Sequence, residues 1–152
     1  MTTKNLDLGF FNITVPVDWD NITSTLDEAN PPLTVANPEA GVGALQFSSA
    51  NYKGGKLPDV RLQDLTELLS DFAVNRDLGE PFDSIASPDG LAIAAASFQS
   101  GDDLIRVWFV SDGKSVILAT YVSDWDQRDS EAGAREAVVR SIRFKSGAGT
   151  SR

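Results

Sequence analysis

The sequence predicts an α+β fold, in which an antiparallel β-sheet with a C-terminal three-strand meander is covered by helices. Three observations support this prediction. Residues 62–73 repeat apolar side chains every three or four positions, which is the period of an amphipathic helix. Three β-rich runs follow, each joined to the next by a short turn rich in Gly, Asp and Ser. A second, smaller amphipathic run lies near the end of the chain.

The first strand is expected at residues 6–15, where apolar residues alternate with polar or small ones. The apolar phase shifts near Gly9, and a shift of this kind indicates a β-bulge. Pro16 cannot donate a ladder hydrogen bond, so we expect it to end the strand. Trp19 follows in a turn, and a large apolar ring just past a strand end is typical of a core residue.

Residues 22–36 are expected to form short strands around a proline-rich turn, and residues 41–50 a clearer strand that begins with two glycines. These glycines do not form the dinucleotide-binding fingerprint, because no third glycine opens a following helix. The glycine-containing loop at residues 51–58 also lacks the Gly-Lys-Ser/Thr step of a phosphate-binding loop. The sequence therefore predicts no nucleotide site here.

The amphipathic helix is expected to begin after Asp59 as its N-cap and to end near Leu78, with Gly79 supplying the left-handed residue that stops it. The meander follows as strands at residues 91–98, 104–110 and 115–122, joined by tight hairpins. Apolar residues occupy both faces of the middle strand, so we expect a sheet that is covered on both sides.

The last helix is expected at residues 127–141, with a small apolar face that suits close packing on the sheet. Asp126, Asp129 and Glu131 fall around its first turn, where unpaired N–H groups and the helix dipole favour negative charge. A capping role for Asp126 or Asp129 is therefore one interpretation of these acids.

The size and charge of the chain limit the number of domains and the kinds of partner that we expect. Its 152 residues fit one domain, which we expect at residues 1–145, followed by a disordered tail at residues 146–152. The formal net charge of −9 repels polyanions, so nucleic acid is not an expected partner. The same charge would speed encounter with a basic protein.

Missing residue types exclude several kinds of chemistry. The sequence contains neither cysteine nor histidine, which excludes disulfides, thiol chemistry, the commonest zinc sites and nucleophile pairs built on histidine. The N-terminus lacks the pattern of a signal peptide, and no apolar run approaches the length of a membrane span. We therefore expect a cytoplasmic protein that does not insert into a membrane.

The segment VSDWDQRD, residues 122–129, concentrates carboxylates around a tryptophan. Asp124, Asp126 and Asp129 carry the oxygen ligands that calcium prefers, but the segment lacks the glycine of a calcium loop and Arg128 adds an opposing charge. Paired carboxylates also hydrolyse glycosides, yet nothing in the sequence places a second acid in an apolar pocket. No catalytic, metal or cofactor residue is therefore predicted.

The same segment also has the composition of a protein-docking surface, since interfaces use aromatic anchors with polar rims. In an antiparallel meander, the turn after the first strand lies at the same end of the sheet as the end of the third strand. The Asp102-Asp103 turn should therefore adjoin residues 124–126. The predicted protein-binding residues are Asp102, Asp103, Asp124, Trp125 and Asp126.

The order of elements over residues 6–145 resembles the PsbP/DcrB-like superfamily of α/β/α sandwiches. The resemblance rests on this order and on two short patterns, P-x-x-W at residues 16–19 and S-I-x-F at residues 141–144. Members of that superfamily are mostly not enzymes. They include photosystem accessory proteins, a nuclear-import factor that binds a small GTPase, and bacterial chaperones and immunity proteins associated with secretion systems.

This resemblance, with the small size and acidity of the chain, implies a non-catalytic protein that binds another protein. The expected function is that of a bacterial immunity protein, which neutralises a cognate, basic toxin of a type VI or related secretion system. A secretion-effector chaperone that holds hydrophobic segments is the alternative in the same class. An enzyme that uses carboxylates alone is the alternative of another class.

Overall fold

The computed structural model describes residues 2–26, 29, 31–39, 42–49, 60–88 and 90–145, and these form two antiparallel sheets and two α-helices. The elements are β1 (Thr3–Asp7), β2 (Phe11–Pro16), β3 (Asp20–Asn21), β4 (Leu33–Ala36), β5 (Gly43–Ser49), α1 (Leu62–Asn75), β6 (Phe82–Ser87), β7 (Ala92–Ser100), β8 (Asp103–Ser111), β9 (Val116–Asp124), α2 (Ala132–Arg140) and β10 (Arg143–Phe144), with short 3-10 turns at Thr23–Thr25 and Trp125–Gln127.

The larger sheet has seven strands in the order β3-β4-β5-β9-β8-β7-β6, and all of its neighbours pair antiparallel. Its centre is the predicted three-strand meander β7-β8-β9, which is confirmed. Gly101 and Gly113 take positive φ angles of 60° and 102° in the turns that join these strands. Tight turns of this kind need a residue without a side chain, and they fix the register of the strands that they connect.

Both faces of this sheet are covered, as the sequence predicted. On β8, Leu104, Trp108 and Val110 point into one apolar cluster, whereas Val107 and Phe109 point into another. Helix α1 packs on the face of the second cluster, against β7 and β8. Helix α2 and a smaller sheet of order β1-β2-β10 cover the face of the first cluster. The chain is thus an α+β sandwich, in agreement with the predicted fold class.

The N-terminal residues form a hairpin, so the prediction of one bulged strand at residues 6–15 was wrong. Strands β1 and β2 pair antiparallel around a turn in which the Leu8 N–H donates to the Phe11 carbonyl at 2.9 Å. Gly9, at φ 103°, allows the chain to reverse there. A turn between two strands changes which positions are apolar, just as a bulge does, because each strand has its own alternation of apolar and polar residues. Trp19 is 4% exposed, which confirms its place in the core.

Helix α1 is confirmed, but its C-terminal end is built differently from the prediction. The left-handed residue directly after the helix is Asp77, at φ 54°; Gly79 also has a positive φ, of 83°, but lies two residues farther on. The Leu78 N–H donates to the Ala73 carbonyl and the Asp77 N–H to the Val74 carbonyl, the two bonds of a Schellman motif. At the other end, the Asp64 carboxylate accepts from the Arg61 N–H at 2.9 Å. The expected N-cap, Asp59, lies outside the described residues.

Helix α2 begins later than predicted, at Ala132. A 3-10 turn and further turns occupy the residues before it, so neither Asp126 nor Asp129 lies in its first turn. Its N-cap is Glu131, whose side chain makes no capping hydrogen bond and instead accepts from the Tyr121 hydroxyl at 2.8 Å. The interpretation of these acids as helix caps was therefore wrong.

Strand β6 was not predicted. It is an edge strand with mostly exposed residues, so it lacks the alternation that identifies a half-buried strand. Its pairing with β7 is interrupted between Phe82 and Ile85, where Asp83 takes a φ of 49°. No helix within the described ranges is long and apolar enough to cross a membrane. The expected disordered tail at residues 146–152 lies outside these ranges.

We predict that Asp77→Gly stabilises the protein by about 0.5 kcal/mol, because glycine adopts the left-handed conformation without steric cost and removes a negative charge from the C-terminal end of a helix. Urea denaturation measures the change. The matched control is Asp71→Gly, within α1, which should lower stability by roughly 0.3 kcal/mol through helix propensity. Equal effects at both positions would contradict the Schellman assignment.

Candidate functional site

The structure brings the five predicted protein-binding residues together. Asp103 pairs with Asp124 across β8 and β9, and the Trp125 N–H donates to the Asp102 carbonyl at 2.7 Å. Asp126 follows in the 3-10 turn. All four carboxylate residues are exposed. We call this surface the acidic end; its role in docking stays a prediction.

Trp125 is held by its neighbours and is only half-buried. The Arg128 guanidinium lies 4.4 Å from the centre of the Trp125 ring, and the same side chain donates to the Trp125 carbonyl at 2.9 Å. The Phe82 ring meets it edge-on at 5.8 Å, and Phe82 is itself 36% exposed. Sequence reasoning treated Arg128 as an opposing charge only, whereas it orients the tryptophan through a cation–π contact.

The carboxylates of the acidic end do not form a metal site. Within the part of the chain that the structure describes, no group of three or more Asp, Glu, His or Cys residues could hold a metal ion. What the acidic end presents at its surface is four exposed carboxylates beside a half-buried tryptophan.

A second feature, which the sequence did not predict, is a cleft between α2 and the strands β6 and β8. Its volume is about 470 Å³. We call it the polar cleft. In a chain of net charge −9 it is unusual in collecting three arginines. Its lining residues are Asp83, Ser84, Ile85, Arg106, Ala132, Arg135, Glu136 and Arg140.

Arg106 lies at the base of this cleft and is only 4% exposed. Its Nε forms an ion pair with Glu136, and its Nη1 donates to the Ser97 hydroxyl at 2.8 Å and to the Asp83 carbonyl at 3.0 Å. The Trp108 ring N–H donates to the second oxygen of Glu136 at 3.2 Å. A buried charge is tolerated only with such partners, so this network attaches α2 and the irregular part of β6 to β8.

Arg135 is also buried, at 6% exposure, but its guanidinium is less completely paired. It lies 4.7 Å from the centre of the Tyr121 ring, and its Nη1 donates to the Arg128 carbonyl at 2.8 Å. Its Nε is buried without a hydrogen-bond acceptor among the described residues. Burial, and then the hydrogen bond to Glu131, raise the pKa of Tyr121 to about 12.

The polar cleft holds two carboxylates, those of Asp83 and Glu136, beside three arginines. Glu136 is held by Arg106 and by the Trp108 ring N–H. Positive charge therefore predominates among the residues that line the cleft.

An apolar groove lies on the other flank of α2, against the β1–β2 hairpin, with a volume of about 490 Å³. The predicted small apolar face of the last helix forms one wall of the groove. The helix end approaches β2 closely where the Thr14 N–H donates to the Ser141 hydroxyl at 2.8 Å. The residues lining the groove are Thr3, Thr14, Val15, Pro16, Gly133, Ala134, Ala137, Val138 and Ser141.

We predict that Tyr121→Phe reduces the dependence of stability on alkaline pH. A pKa that is higher in the folded state stabilises the fold below pH about 10, and this contribution is lost as the pH rises through about 12. The variant should be less stable by roughly 1 kcal/mol at pH 8, because Glu131 loses its donor. Urea denaturation at several pH values from 8 to about 12 measures both effects, and identical pH profiles for the two proteins would refute the prediction.

We predict that Glu136→Gln costs about 3 kcal/mol of folding free energy, since it leaves the buried Arg106 charge without its counter-charge. The double variant Arg106→Met/Glu136→Gln should recover part of this loss, because no charge is then left unpaired. Glu67→Gln, on the exposed side of α1, is the control and should change stability by under about 0.5 kcal/mol. If Glu136→Gln lowers the folding free energy as little as the control does, the Arg106–Glu136 ion pair is solvated.

Comparison with known proteins shows similarity in structure alone. No protein-family model matches the sequence, and no curated protein matches it by sequence. A Bacteroides thetaiotaomicron structure is similar with a TM-score of 0.54 and 12% identity over 91% of this chain. The match covers 46% of that chain, so the present chain spans less than half of that protein.

Two further solved structures match over nearly their whole length. The Ran-binding protein Mog1p of Saccharomyces cerevisiae has a TM-score of 0.63 and 11% identity, over 95% of this chain and 96% of that one. The cyanobacterial PsbP (CyanoP) of Synechocystis sp. PCC 6803 has a TM-score of 0.62 and 12% identity, over 94% and 92%. These similarities confirm the expected PsbP-like fold, and none of them concerns bacterial immunity. The chain therefore has a PsbP/Mog1-like α+β fold.

Proposed function

We propose that this chain is a non-catalytic domain that binds a protein with a basic surface through its acidic end. The observation that carries the proposal is the convergence of four exposed carboxylates at one end of the sheet. They come from two separate chain segments, which the β8–β9 register and the bond from the Trp125 N–H to the Asp102 carbonyl hold together. Such a surface is preorganised, so binding costs little conformational entropy.

Charge and shape both support a protein as the partner. The net charge of −9 repels nucleic acid and attracts a basic surface from a distance, which raises the rate of association. Trp125 and Phe82 add a half-exposed aromatic pair beside the carboxylates, and aromatic residues supply much of the binding energy at interfaces. Mog1p, which has the same fold, is a Ran-binding protein, so a domain of this fold serves protein binding in that case.

The more specific proposal is that the partner is a toxin and that the chain acts in the cytoplasm as an immunity protein. It is supported by the small size and acidity of the chain, which are similar to those of immunity proteins in the PsbP/DcrB-like superfamily. A domain that covers the active surface of a basic toxin would need no catalytic group of its own.

A second candidate function is that of an effector chaperone, and the apolar groove beside α2 is the observation that favours it. The groove is lined by small and apolar residues and has the volume of a ligand pocket. The two candidates differ in what they bind. A chaperone binds an isolated apolar segment of its effector, whereas an immunity protein requires the folded toxin domain.

The experiment begins with capture of the partner from lysate of the source cells, followed by association kinetics with the purified partner. The triple variant Asp102→Lys/Asp103→Lys/Asp124→Lys should slow association by at least about tenfold at low salt, because it reverses the field that steers the encounter. The effect should shrink as salt increases, since screening weakens exposed charges.

The matched control is Glu67→Lys/Asp71→Lys/Asp112→Lys, which makes the same change in net charge at exposed residues of α1 and of the turn at the opposite end of β8 and β9. It should slow association much less. Equal rates for the two triple variants would remove the acidic end from the interface. Binding of an isolated apolar peptide from the partner, with unchanged rates for the first variant, would favour the chaperone.

A further inference from the structure

We infer that the polar cleft is a second binding site, which takes the oxyanion of a small carboxylate- or phosphate-bearing ligand. This inference is independent of the proposed docking function. The cleft lies between α2, β6 and β8, and its wall carries three arginines against two carboxylates. One of those carboxylates, Glu136, is already held by Arg106. The cleft therefore keeps excess positive charge in a protein that is otherwise strongly acidic.

Arg135 supplies the observation that points to a ligand. It lines the cleft, it is 6% exposed, and its Nε is buried without an acceptor among the described residues. A buried N–H of a charged group that lacks an acceptor is costly, and such groups are nearly always satisfied in folded proteins. The guanidinium also lies over the Tyr121 ring, 4.7 Å from its centre. An oxyanion in the cleft would supply the missing acceptor once the Nε–H turns toward it.

Arg106 makes the site rigid. Its hydrogen bonds to Ser97 and to the Asp83 carbonyl, together with the ion pair to Glu136, determine where its guanidinium lies. The Asp83 carbonyl comes from the irregular part of β6, and irregularities of this kind are frequent beside functional sites. A site whose charged groups are already in place loses little entropy when it binds an anion.

Arg140 lies on the exposed rim of the cleft, in the last turn of α2. Arginine suits this position because its planar fork matches both carboxylate and phosphate oxygens. The cleft volume of about 470 Å³ exceeds that of an isolated anion and falls in the range of small-molecule sites. Ile85 and Ala132 provide apolar wall for the rest of such a ligand.

The competing explanation is that ordered water satisfies Arg135, as it does many buried polar groups. Two explanations, ordered water and a bound anion, are distinguished by titrating the full chain with inorganic phosphate and with succinate and following the titration by 1H–15N NMR. We expect saturable binding of at least one of these anions, with a shift of the Arg135 Nε–H resonance, and chloride at the same ionic strength should have no such effect. A response to phosphate alone or to succinate alone identifies the source of the oxyanion.

Arg140→Gln tests the site without disturbing the core, because Arg140 is exposed. We expect it to weaken binding by at least about tenfold, the loss of one charge-assisted contact. Arg143→Gln is the control, since it removes the same charge from an exposed residue of β10 outside the cleft. Its affinity should equal that of the unmodified protein at the same ionic strength.

Four results would overturn the inference. One is the absence of saturable binding of phosphate and succinate up to about 10 mM. Another is an equal response to chloride, which would indicate screening rather than binding. A third is equal weakening by Arg140→Gln and Arg143→Gln. The fourth is an Arg135→Gln variant that keeps a native circular dichroism spectrum and binds as tightly as the unmodified protein.

Discussion

The structure depends on the burial of both faces of strand β8. Six consecutive residues at its C-terminal end, 106–111, are buried, and apolar clusters lie above and below them. A sheet of this kind is stable only when each face is covered, since burying apolar area is the main favourable term in folding. Helix α1 covers one face, and α2 with the small N-terminal sheet covers the other. The sandwich of layers follows from this requirement.

One polar residue on that strand sets the position of the second layer. Arg106 occupies a place that apolar residues hold elsewhere on its face, and a buried charge needs a fixed counter-charge. Glu136 supplies it from α2, while the Asp83 carbonyl supplies an acceptor from β6. This network ties the helix and the edge strand to the sheet. It also leaves the space between them, the polar cleft, with arginines on its walls.

Two surfaces of opposite character result from the same sheet. The acidic end lies where the strands of the meander turn, and its carboxylates are exposed because turns are solvated. The polar cleft lies between α2, β6 and β8, where Arg135 lies over the Tyr121 ring and is largely buried. Long-range attraction of a large basic partner is the proposed role of the first surface. Short-range contacts with a small anion are the proposed role of the second.

The sequence by itself determined the elements that local periodicity specifies: α1, the meander, the burial of Trp19 and the meeting of Asp103 with Asp124, which follows from antiparallel order. It did not determine whether the phase shift at Gly9 was a bulge or a turn, because both shift the alternation equally. Only the tertiary structure showed that Glu131 accepts a hydrogen bond from Tyr121 and does not cap the helix. That bond joins the start of a helix to a strand, so local sequence patterns do not predict it. The polar cleft was beyond sequence reasoning for the same reason: Arg106 comes from β8 and the other two arginines from α2, and long-range packing alone brings these elements together.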